Sequence, residues 1–175
     1  TYFSGAQFIH FLLGPAVVAL AWPLWQRRAE LQKRWGRLLV AALLGGAAAS
    51  GSAVALALAV GVPMDVVLSM APKSVTAPVA MAEKIGGIPA LAAVFAVLTG
   101  LVGALSAKYL FALMRVPTTV EGWTVRGFAL GTAAHGIGAA RALQVNADAG
   151  AYAGLALGIQ VVTASLLLPL AFRLF

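Results

Sequence analysis

Residues 71–78, Ala-Pro-Lys-Ser-Val-Thr-Ala-Pro, set two prolines and a cation into a chain that is otherwise almost continuously apolar. Proline lacks a backbone donor and its ring clashes with the preceding turn, so no straight helix can run through Pro72 and Pro78. The surroundings sharpen that constraint. With 62% hydrophobic and 10% charged residues, the 175-residue chain lies outside the range of water-soluble domains and reads as a polytopic membrane protein. In hydrocarbon, opened backbone persists only where protein covers it or where it lines a wet cavity. The break is therefore a candidate binding site, and the remaining spans must be arranged to enclose it.

A second break, residues 134–141, reads Ala-His-Gly-Ile-Gly-Ala-Ala-Arg. Laid over the first without a gap, it places His135 on Lys73, Ile137 on Val75, Ala139 on Ala77 and Ala142 on Ala80. An apolar span follows each break. The expected fold is thus an all-α helical bundle with two discontinuous helices, re-entrant or broken, related by an inverted repeat as in transporters.

Charge supplies the topology. Residues 7–25 are apolar for about one span, bent at Gly14 and Pro15 and flanked by Trp22 and Trp25. A basic loop at 27–37 carries five cations against one anion and is expected in the cytoplasm. Residues 38–60 return as a second span, whose Gly45, Gly46, Ala49, Ser50, Gly51 and Ser52 allow close helix approach. Residues 7–60 thus form two scaffold spans, 62–110 the first broken unit with its span, and 121–175 the second, within one transmembrane domain over 1–175. Because the chain opens at Thr1 without a methionine, further spans are expected upstream. Lys108, Arg115 and Arg126 face only Glu121 in the next connection, which the same rule makes cytoplasmic. Residues 64–84 must then enter and leave from the outer face as a hairpin, with residues 121–147 doing so from the cytoplasm. The competing arrangement lets both broken helices cross fully and puts Lys108 and Arg115 outside.

A net charge of +7 raises the question of nucleic acid, but the loop at 27–37 accounts for much of it and no basic face carries interleaved aromatics. Cysteine is absent, and no paired metal-binding histidines, phosphate-cradling glycine loop or serine elbow occurs. The expectation is a non-enzyme without metal or cofactor, in which a proton or sodium ion can still drive movement.

At an opened helix in a membrane, the free N–H groups of the following half-helix favour an anion. Ser74 or Thr76 is expected to cap the half-helix that carries Pro78 in its first turn. Lys73 adds full charge. In the second break Gly136 and Gly138 allow close backbone approach, His135 can donate or exchange a proton, and Arg141 offers a fork that fits a carboxylate. Lys73, Ser74, Thr76, His135, Gly136, Gly138 and Arg141 are together the expected site for a small carboxylate. Plainer roles stand beside these. Lys73 and Arg141 can snorkel or pair with Glu83 or Asp148, and His135 can be a hydrogen-bonded interior histidine. His10 reads as interfacial, Gly14 and Pro15 as a packing kink, Pro169 as a bend, and Asn146 and Asp148 as turn residues.

Several stretches carry a resemblance: Leu-Leu-Gly-Pro-Ala at 12–16 ahead of the basic loop, Pro-Lys-Ser-Val-Thr at 72–76 continuing to Pro78 and Ala80-Met81, Ile-Gly-Gly-Ile at 85–88, Thr-Gly-Leu at 99–101, and Arg126-Gly127 leading to Gly131, His135-Gly136 and Gly138. In order and spacing they resemble the LrgB/CidB family of bacterial membrane proteins, which also provides half of a plastid glycolate/glycerate transporter. The resemblance covers nearly the whole chain. It implies a multi-pass protein of the bacterial plasma membrane, with one of two roles. One is movement of small monocarboxylates such as glycolate, glycerate or pyruvate; the other is holin- or antiholin-like control of murein hydrolase activity and cell lysis. It further implies a small LrgA/CidA-type membrane partner, and a homo-oligomer is expected.

Overall fold

The computed structural model describes residues 25, 26, 28–75 and 77–172, and six helices account for the regular structure among the described residues from 28 onward. They are α1 (Arg28–Ala59), α2 (Met64–Met70), α3 (Pro78–Ile85), α4 (Pro89–Leu113), α5 (Val120–Val145) and α6 (Ala147–Ala171). Three stretches, Leu31–Ala59, Pro89–Leu113 and Ala147–Ala171, are long and apolar enough to cross a membrane. The expected span at 7–25, with its bend at Gly14 and Pro15, lies outside the described residues apart from Trp25.

The sequence punctuation explains most helix starts. Pro78 and Pro89 each occupy the first turn of their helix, where the missing N–H would have no partner anyway. Thr119 caps α5 by accepting from the Gly122 N–H, and Asn146 caps α6 by accepting from the N–H groups of Asp148 and Ala149. Gly86 ends α3 in the left-handed conformation that suits glycine, at φ 87°. One expectation is corrected. The basic segment from Arg28 onward is not a loop but the first turns of α1, because Arg, Lys, Gln, Glu, Leu and Ala are all strong helix formers.

Contacts fix the directions of the helices. Gln160 Nε2 donates to the Ala42 carbonyl at 2.6 Å, and Tyr152 clusters with Leu38 and Leu39, so α1 and α6 run the same way. The first half of α5 also runs parallel to α6, Gly127 standing on the Ala149 carbonyl and Gly131 on that of Ala153. Within α5 the backbone leaves helical geometry at Ala134 (φ −120°, ψ 16°) and His135 (φ 42°, ψ −136°). A Cβ placed on Gly138 would lie 2.6 Å from the Leu130 carbonyl oxygen. In a straight helix those eight residues would separate the two by about 12 Å. The chain after His135 therefore runs back along its own first half, and Gly136 then faces Leu157 while Gly150 faces Leu143 as it descends α6.

The segment between α1 and α4 turns back as well. Ser50 Oγ on α1 donates to the Ala71 carbonyl at 2.6 Å, nine residues or about 14 Å below the end of α1 at Ala59. The Ile88 N–H donates to Ser69 Oγ at 2.7 Å, and Gly87 lies on the Ser69 backbone. Residues 71–85 thus make an excursion that starts and ends beside Ser69.

Candidate functional site

The connection between α2 and α3, described at 71–75, and the reversal at Ala134 and His135 converge on one part of α4. The His135 imidazole is buried, and its Nε2 donates to the Ala96 carbonyl at 2.8 Å. Gly100 leaves room for that ring and for Ile137, and Gly103 for the Ala134 methyl. On the neighbouring side of the same turns, Lys73, Ser74, Thr99, Val102, Gly103 and Ala133 line a cavity of about 390 Å³. Lys73 is half-buried there, and its ammonium donates to Ser74 Oγ at 3.3 Å. None of the residues lining this cavity is acidic. A cation held between apolar helix faces without an opposing carboxylate supplies an attractive potential for an anion.

The opened backbone around Lys73 is held from several sides. Pro72 is fully buried, and the Ala71 carbonyl takes the Ser50 hydroxyl. Ser69, also fully buried, donates to the Asp65 carbonyl and accepts from Ile88. Helix α3 has Ala77 at its N-cap and no side-chain cap. Ser74 therefore does not cap α3 as the sequence led us to expect; its hydroxyl turns to the lysine instead. Thr76 lies outside the described residues.

The remaining expected site residues separate. The hydrogen face of Gly138 is filled by the Leu130 carbonyl rather than left open to a ligand, so this glycine permits the reversal. Gly136 has ordinary space around it, with Leu157 Cδ1 3.9 Å from where its Cβ would be. Arg141 is not brought to the Lys73 cavity. It is exposed and lines a different one, with Lys108 and Arg126, between α4 and α5.

Two polar residues that the sequence reading passed over also belong to this region. Gln160 is buried in the middle of α6, and together with Thr163 it lines a cavity of about 320 Å³ whose other wall includes Ser74 and Val75. Ser74 thus sits between two hollows. A lone amide in the centre of an apolar span was the available signal.

A model of the LrgB-like family matches residues 1–174. The Bacillus subtilis protein YxaC is 33% identical over 176 residues, covering 99% of this chain and 75% of the relative. A Haemophilus influenzae protein is 31% identical over 175 residues, covering 99% and 74%. A Staphylococcus aureus protein named holin-like protein CidB is 29% identical over 177 residues, covering 99% and 75%. No solved structure matches.

Proposed function

The chain belongs to the LrgB-like family of multi-pass membrane proteins, and on that premise we propose that it is a secondary transporter of small monocarboxylates of the glycolate, glycerate or pyruvate type. The observation that carries this reading is Lys73, whose charge stands half-buried in a cavity without acidic residues. Lys73 binds the carboxylate, Ser74 and Thr76 supply hydrogen bonds, and His135, held on the Ala96 carbonyl, sits one layer away. Gly136 and Gly138 shape the turn that brings His135 there. In this reading residues 64–85 and 120–145 are the two discontinuous helices of an inverted repeat, and they enter a bacterial plasma membrane as hairpins from opposite faces, with the basic start of α1 in the cytoplasm. A proton or sodium ion drives movement, and an LrgA/CidA-like partner and self-association accompany it.

Thermal unfolding of the purified protein with a panel of small carboxylates at two pH values tests the site, since a ligand that binds the native state raises apparent stability. A shift with glycolate, glycerate or pyruvate that disappears in Lys73→Ala is the expected outcome. An equal shift in folded Lys73→Ala protein would remove Lys73 from the site.

The name of the staphylococcal relatives favours a second reading, a holin-like pore component or its regulator. In that case the breaks serve packing and assembly. Partner-dependent oligomer size or dye leakage that ignores small acids would select it over transport.

A further inference from the structure

A second cationic hollow lies away from Lys73. It holds about 650 Å³ between α4 and α5, and Lys108, Arg126 and Arg141 all line it, with no acidic residue among its walls. The three cations share one end of the bundle. Lys108 is five residues from the end of α4 at Leu113, Arg126 six from the start of α5 at Val120, and Arg141 four from its end at Val145. At 1.5 Å per residue these offsets are roughly 6–9 Å, a depth at which headgroups meet acyl chains.

Arg126 is fixed in place. Its guanidinium lies over Trp123 at 4.9 Å and Phe111 at 5.5 Å and donates to the Val116 carbonyl, yet its buried Nε has no hydrogen-bond partner. The aromatic rings thus hold this cation against the wall of the hollow. The outer rim has the opposite character. Leu105 and Tyr109, which also line the hollow, are 75% and 74% exposed. A hollow that joins three positive charges to exposed apolar side chains fits a molecule with an anionic head and hydrocarbon tails.

We propose that this hollow binds the phosphodiester headgroup of an anionic phospholipid from the leaflet next to the α4–α5 connection. Arg126 and Arg141 present planar donor forks to the phosphate oxygens, Lys108 adds charge, and the acyl chains lie along Leu105 and Tyr109.

Native mass spectrometry of the full chain in detergent, titrated with phosphatidylglycerol, phosphatidylcholine or glycerol 3-phosphate, tests this. Phosphatidylglycerol is expected to bind at least tenfold more tightly than phosphatidylcholine. Lys108→Gln with Arg141→Gln should weaken it by about fivefold for each charge removed, whereas Lys108→Arg with Arg141→Lys should restore binding. Both positions are exposed, and unchanged unfolding of the variants verifies their fold. Equal affinity for the two lipids, or full affinity in the glutamine variant, overturns the proposal. Glycerol 3-phosphate binding as tightly as phosphatidylglycerol also overturns it, because the tails would then contribute nothing. Since Lys73 is not involved, these outcomes are independent of the small-carboxylate test.

Discussion

The two places where the chain leaves helical geometry reach the same stretch of α4 by opposite means. Two prolines, Pro72 and Pro78, end one helix and start the next, and the connection between these helices holds the buried Ser74 hydroxyl, an opened carbonyl at Ala71 and a lysine that lines a cavity. At Ala134 and His135 the reversal takes two residues, and glycines let backbone touch backbone on both sides of it. The first break borders open space and carries charge; the second is nearly solid. A helix interrupted by proline leaves carbonyls and volume to be satisfied by something else, while one reversed at glycines closes on itself. The proposed chemistry is therefore placed at the first break, and mechanical definition at the second.

Substitutions at four positions press on that contrast. The largest effect is expected for Lys73→Gln, which should abolish carboxylate uptake into vesicles while the unfolding temperature stays near that of the wild type; surviving uptake would move the chemistry elsewhere. Gly138→Ala comes next. Its methyl would meet the Leu130 carbonyl, and overpacking of that kind costs about 1–3 kcal/mol, visible as a lower unfolding temperature in detergent. At His135 two replacements should be compared. Both lose the bond to Ala96, but φ 42° is strained for alanine and free for glycine, so His135→Gly should be more stable than His135→Ala by about 1 kcal/mol. Smallest is Gly136→Ala, expected within about 0.5 kcal/mol of the wild type because its neighbour is at contact distance already. If Gly136→Ala proved as damaging as Gly138→Ala, the second break would not be the solid element described.

Much of this was legible in advance because proline and capping residues act locally. Pro72 and Pro78 marked the first break and Pro78 its restart, through the backbone within a few residues, whereas Asn146, read as a turn residue, is the cap that starts α6. The extent of α1 was misjudged because charge was read as loop, although side-chain charge and helix propensity are independent. The placement of Arg141 could not be read. Six residues after His135 along a chain that has just reversed, it returns down the bundle to the level of Lys108, and spacing in sequence does not encode which hollow such a residue will face. Gln160 escaped for a related reason: its partner, the Ala42 carbonyl, is 118 residues away.

The joint at Asn146 has a mechanical corollary. One capping residue separates α5 from α6, and Gly127 and Gly131 lock the two helices backbone to backbone. They form a single lever without a hinge of its own. Any rearrangement of the bundle must therefore slip that lever against its neighbours, at the glycine faces of α1 and α4, where Gly45 receives Thr132 and Gly103 receives Ala134.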